Sequence, residues 1–201
     1  MDYIFNESLD TIKELSNIPD NALFINVLKK AKGIAIYPNL VKAGFFIGGN
    51  FGDGILLRRD EENSWKGPLF LTLKGVSGGF QFGVSKTGLV LLIMNESGFK
   101  NFLKNTNITI GANIDIAAGP AGRSINAETD YTLNAAIYSY SVSKGLFFGI
   151  SLKGSVLEVN SDRIKKFFGM NLNPEKILYK ETIFDPNLKD LTDYIDKIIS
   201  E

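Results

Sequence analysis

Gly44-Phe45-Phe46-Ile47-Gly48-Gly49-Asn50-Phe51, then Gly52-Asp53-Gly54, then Ile55-Leu56-Leu57-Arg58 is the stretch that decides the fold. Apolar residues with strand preference flank a Gly-Asp-Gly triplet, which has the composition of a hairpin turn. The same grammar spreads outward. Ile34–Tyr37 is apolar and ends at Pro38, and Leu69–Leu73, Val76–Val84 and Leu89–Met94 follow. Ile108, Ile110, Ala112, Ile114 and Ile116 alternate with Thr109, Gly111, Asn113, Asp115 and Ala117, and Thr132–Ser143 and Leu146–Val156 complete the set. Period-two patterning punctuated by glycine predicts a curved antiparallel sheet or a partly closed barrel. One short helix is expected over Ser97–Lys104.

All 20 glycines lie between Gly33 and Gly169, so the two ends read as helical. Ile4, Phe5, Leu9, Ile12 and Leu15 recur at helical spacing. Pro19-Asp20-Asn21 breaks the chain, with Asp20 or Asn21 as N-cap, and Ala22, Leu23, Phe24, Val27, Leu28 and Ala31 form a second stripe. Lys29, Lys30 and Lys32 suit its C-terminus, and Gly33 reads as its stop. At the other end Ser161–Phe168, Pro174–Tyr179 and a last amphipathic helix through Leu188, Leu191, Ile195, Ile198 and Ile199 are expected, with Pro186 just before it. The class is α+β. A single domain spans 1–201, with N-terminal helices (1–32), a Gly-rich β body (33–169) and a helical extension (170–201).

Lys+Arg and Asp+Glu both number 22. That balance argues against a nucleic-acid partner. His and Cys are both 0, which excludes an imidazole base, a thiol nucleophile, a disulfide and a His/Cys zinc site. The zero net charge hides a division: residues 33–169 hold 14 basic and 10 acidic residues, the ends 8 and 12. Acids are missing from 21–52, which carries Lys29, Lys30, Lys32 and Lys42, and from 63–95, which carries Lys66, Lys74 and Lys86. A basic face is therefore expected. The first residues lack the basic and apolar regions of a secretory signal, and no apolar run reaches the ~18 residues of a spanning helix.

Gly75-Val76-Ser77-Gly78-Gly79 matches the G-x-S-x-G nucleophile elbow, but no imidazole is present to take the serine proton and the motif sits in a strand pattern. It reads as a glycine cluster that lets a strand bend. Gly48–Gly54 fits no phosphate-loop spacing. Gly119-Pro120-Ala121-Gly122-Arg123 is a turn whose Arg123 suits an anion or a structural bond equally. Asp53, Asp60, Glu61, Glu62, Asp115, Glu128 and Asp130 are scattered, with no acid–base spacing among them. No catalytic residue, metal site or cofactor is expected. The Ala22–Lys32 stripe has two readings: packed on the sheet with a solvated lysine end, or laid on an anionic membrane with lysines at headgroups.

The string Ala31-Lys32-Gly33-Ile34-Ala35-Ile36-Tyr37-Pro38, with Lys42-Ala43-Gly44-Phe45, Gly48-Gly49, Trp65 and Pro68, resembles the SYLF domain. Gly75–Gly83, Met94-Asn95, Ala117–Arg123, Thr129-Asp130, Ser139-Tyr140-Ser141, Ser143–Phe147 and Gly149–Leu152 continue the resemblance, which covers about residues 18–169. Val142 stands where many members have a basic residue, and Trp65-Lys66-Gly67-Pro68 replaces a more usual Trp-Ser-x-Pro.

The resemblance implies non-enzymatic binding to phospholipids, especially phosphoinositides and other anionic lipids, helped by an N-terminal amphipathic segment. It also implies actin binding in some eukaryotic members, and export or lipid anchoring in bacterial stand-alone ones. The expected partner is an anionic phospholipid membrane, with a protein partner as a second candidate. Localisation is expected to be membrane-associated, periplasmic if a signal has been removed and otherwise cytoplasmic. The expected face comprises Lys29, Lys30, Lys32, Lys42, Arg58, Arg59 and Lys144, with Leu23, Phe24, Val27 and Leu28 inserting where exposed. The competing expectations are a protein-interaction or structural module, an internal carrier of an acyl lipid, and, remotely, an outer-membrane barrel.

Overall fold

The computed structural model describes residues 3–19, 21–44, 47–78, 83–104, 106–120, 134–143, 146–147 and 152–201; the side chains of 42–44, 47–48, 76–78, 83–85 and 147 are outside that description. Two helices open the chain, α1 (Tyr3–Ser16) and α2 (Ala22–Lys30). Four long strands follow: β1 (Gly33–Gly44), β2 (Ile47–Arg59), β3 (Trp65–Gly78) and β4 (Gly83–Ile93). Helix α3 (Glu96–Lys104) precedes the short strands β5 (Asn107–Thr109), β6 (Ala117–Ala118), β7 (Ile137–Ser143), β8 (Leu146–Phe147) and β9 (Val156–Val159). Helices α4 (Ser161–Phe168), α5 (Pro174–Tyr179) and α6 (Pro186–Ser200) end it.

The strands form one curled sheet in the order β5-β9-β3-β2-β1-β4-β7-β6, with β8 also on β7. Pairing is antiparallel except between β6 and β7. The result is a half-barrel with helices, the expected α+β class.

Register sorts the sheet into two faces, because side chains alternate along each strand. Ile36 lies beside Ile55 and Val90, Ile55 beside Phe70, and Val90 beside Tyr140. α1, α2 and α4 cover this face: the Phe5 and Phe167 rings meet Phe70, and Phe24 meets Tyr140 edge-on at 5.0 Å. Ala35, Tyr37, Leu56, Leu89 and Leu91 point the other way, where α3 brings Phe99 and Phe102 into the core. Leu89 to Ile93 are all fully buried for this reason: a strand covered on both sides reads as a continuous apolar run.

Three expectations are corrected. Gly52-Asp53-Gly54 is not a turn; β2 runs straight through it. A Cβ on Gly54 would lie 2.5 Å from the Tyr37 ring and 2.6 Å from the Ile36 carbonyl, so glycine serves close packing there. Pro38 does not end β1: the register shifts around residues 37–41, and the strand continues beyond this irregularity. Ile108–Ala118 is not one strand. Gly111, at φ 89°, turns it, and the Asn113 carboxamide oxygen accepts the Thr109 N–H at 2.8 Å.

Candidate functional site

The end of the sheet where β1 starts and β2 finishes collects the expected basic residues. α2 closes on Ala31, whose ψ of 139° is extended and whose N–H donates to Leu28 O at 3.1 Å. Gly33 is therefore not the helix stop; it already belongs to β1. The free carbonyls of α2 are met from another strand. Arg59 Nη2 donates to Lys29 O at 2.8 Å and to Ala31 O at 3.1 Å. A guanidinium at a helix C-terminus also suits the dipole. Arg59 lies over the Trp65 ring at 5.8 Å, and Trp65 Nε1 donates to Asp196 of α6 at 2.9 Å. Lys32 is fixed through its backbone, donating to Ile93 O at 2.7 Å and accepting from Arg59 N at 2.8 Å.

This clamp presents Lys29, Lys30 and Lys32 to solvent. Among the described residues none of the three forms an ion pair. Arg58, next to Arg59 on the strand, points to the opposite face. It pairs with Glu96 Oε1 at 2.8 Å and lies 4.0 Å from the Tyr179 ring centroid. Tyr179 donates to Glu96 Oε2 at 2.7 Å. Desolvation pushes the Glu96 carboxyl up. The hydrogen bonds from Tyr179 and Arg58, and the charges of Arg58 and Lys32, outweigh it and hold the group below its ordinary value.

The depressed value sets a pH dependence. The Glu96 contribution is present above its unfolded-state titration and is lost as pH falls through the lower folded value. Glu96→Gln is expected to destabilise the chain at pH 7 by less than about 1 kcal/mol, because the carboxylate is half-exposed. Urea unfolding at pH 7 and pH 3 checks this, and the gap between variant and wild type should close in acid.

The other expected site residues lie elsewhere. Leu23 is half-buried, while Phe24, Val27 and Leu28 are in the core at 0%, 3% and 2% exposure. They are corrected from inserting residues to packing residues, because the apolar stripe of α2 is already spent on the sheet. Arg58 is corrected likewise: its charge is engaged by Glu96 and buried. Lys42 sits nine residues beyond Gly33 along β1, about 30 Å away at strand rise. Its backbone is thus remote from Lys32, and its side chain is outside the described residues, as are Asp20, Lys144, Arg123, Glu128 and Asp130 entirely.

Asp53 is held by Thr72 Oγ1 at 2.7 Å and Arg163 at 3.1 Å. Among the described residues no group of three or more acids could hold a metal, and no helix is long and apolar enough to cross a membrane. Two open clefts, about 330 and about 220 Å³, have charged walls: Glu7, Asp53 and Arg163 in one, Asp115 and Lys153 in the other. Sequence reasoning missed Trp65, Glu96, Tyr179 and Asp196. The available signal was the Arg58-Arg59 pair at a strand end, since neighbours on a strand must face opposite sides.

Known proteins resemble this chain. A family model described as Ysc84, Las17-binding protein actin regulator, matches residues 74–198. A human SH3 domain-containing YSC84-like protein 1 is 33% identical over 90% of the chain and 52% of its own length. The Xenopus laevis protein of that name is 34% identical over 90% of the chain and 54% of its own length. LAS seventeen-binding protein 3 of Saccharomyces cerevisiae is 35% identical over 79% of the chain and 35% of its own length. The chain thus spans about half the length of these vertebrate relatives. The family match also runs past residue 169, so most of the helical extension falls within it.

Proposed function

Since the chain belongs to the Ysc84, or SYLF, family, we propose that it is a non-enzymatic phospholipid-binding domain that attaches to anionic membranes. The observation that carries this reading is the trio Lys29, Lys30 and Lys32, solvent-exposed, unpaired among the described residues and backed by the Arg59–Trp65 clamp. Each basic residue near an anionic surface contributes ~1 kcal/mol and is screened by salt. The mechanism is electrostatic docking of the α2 end. The Glu96 carboxylate, within electrostatic reach of Lys32, opposes it.

Flotation with phosphatidylcholine vesicles, with and without phosphatidylserine, tests the reading. Wild-type protein is expected to float only with the anionic vesicles and to be released by salt. Lys29→Ala/Lys30→Ala/Lys32→Ala should weaken partitioning by about a hundredfold, and Glu96→Gln should strengthen it by up to about fivefold. Recovery that ignores both lipid charge and these substitutions defeats the proposal. The second reading is a protein partner, and the names of the family and the yeast relative, which specify Las17 binding, favour it. It predicts no lipid partitioning at all.

A further inference from the structure

Among the described residues five large apolar side chains are exposed: Tyr3, Phe51, Leu146, Met170 and Phe184. Four of them surround α4. Tyr3 and Phe51 line the larger cleft together with Arg163, in the first turn of α4. Met170 follows Gly169, which ends the helix at φ 73°. Phe184, on the loop between α5 and α6, stacks on Phe167 at 5.0 Å and meets Phe168 edge-on at 6.1 Å. The stack continues inward through Phe167 to Phe5 and Phe70. Phe184 is thus the exposed tip of a buried aromatic column, yet it is 62% exposed itself, and Met170 is 56% exposed.

The charge on α4 is net positive, with Asp162 its one acid. Lys165 and Lys166 are exposed on α4 and form no ion pair among the described residues. Arg163 is taken by Asp53. Asp185, next to Phe184, accepts the Asn187 and Leu188 N–H groups as the cap of α6. Apolar prongs on two loops beside unpaired lysines match the chemistry of an anionic bilayer surface, where prongs enter the acyl boundary and ammonium groups meet phosphates.

We propose that the α4 face, with Met170 and Phe184 inserting and Lys165 and Lys166 at headgroups, is a second membrane contact. It rests on the membrane reading given above but is a separate site.

The test uses the full chain and mixed phosphatidylcholine–phosphatidylserine vesicles. Met170→Ser/Phe184→Ser is expected to lower partitioning by about tenfold or more, and Lys165→Glu/Lys166→Glu by about tenfold or more. Thermal unfolding of the lysine variant should stay near wild type; Met170→Ser/Phe184→Ser also loses the Phe184 ring contacts, so its vesicle binding is read at a temperature where circular dichroism shows it folded. Phe184→Trp should be quenched by bromine-labelled acyl chains, while wild type, whose only tryptophan is the buried Trp65, should not. If vesicle-bound Phe184→Trp is not quenched while the α2 lysine variant loses binding, the α4 contact is wrong and the α2 reading stands. If wild type ignores anionic vesicles, both are wrong. A lipid-free dimer that Phe184→Ser dissolves would assign the patch to a second copy and overturn the bilayer.

Discussion

Gly33→Ala is expected to destabilise the fold by about 3 kcal/mol, at the upper end for an overpacked core. A Cβ there would fall 2.4 Å from Phe99 Cζ and 2.6 Å from the Leu57 carbonyl oxygen. The ring could tilt. The carbonyl could not, because it belongs to the β1–β2 ladder. Gly33 also pairs with Ile93 on the opposite side, so the strand has no free edge toward which to move. For a chain of this size the loss corresponds to a melting temperature lower by roughly 6–12 °C, read by circular dichroism. Phe99→Leu in the same chain should recover only part of it. A shift below about 2 °C would mean that the approach of α3 to β1 is looser than described.

Trp65→Ala should cost about 3–5 kcal/mol, the range for removing a large buried aromatic side chain. The ring is 9% exposed and holds three things together. It fills the base of the core, supports the Arg59 guanidinium, and ties β3 to α6 through Asp196. Trp65→Phe keeps an aromatic surface but loses the N–H bond to a solvated carboxylate and part of the buried ring volume, so about 1–2 kcal/mol is expected. Denaturant titration followed by circular dichroism separates the two variants. Because Arg59 caps α2, Trp65→Ala should also weaken vesicle attachment, and Trp65→Phe should not. Equal vesicle binding by both would detach the clamp from the placement of the lysines.

Much of the architecture was legible in the residues. The helices at both ends, the short α3 and the glycine-bearing sheet follow from spacing and composition. The glycine errors share one cause. Glycine serves turns and close approaches alike, and nothing local tells them apart. Gly52 and Gly54 were read as a turn because the side chains that need the space, Leu40 and Tyr37, come from the neighbouring strand. Gly111 went the other way: its isoleucine neighbours alternate so regularly that the turn was hidden.

The site divides in a similar manner. Lys29, Lys30 and Lys32 are local to one helix end, and sequence found them. Their supports are not local. Trp65 meets Asp196 across 131 residues, and Arg58 meets Glu96 across 38. Arg58 and Arg59 looked equivalent in the string, but the strand sends one to each face. Phe24, Val27 and Leu28 looked equally suited to a bilayer or a core, since both select the same apolar stripe; only the position of the sheet decides.

The first helix has its partner in the last. Ser16 Oγ and Tyr194 OH are 2.9 Å apart, and Lys13 lies over the Tyr194 ring. During synthesis, then, the side of α1 that faces α6 stays uncovered until α6 has been translated, whereas the side that faces the sheet does not have to wait. Sheet pairing can begin earlier, but closure waits for translation to reach the final helix. A nascent chain stalled before Leu188 would lack that cover, and would be a substrate for chaperones and proteases rather than a shorter working domain.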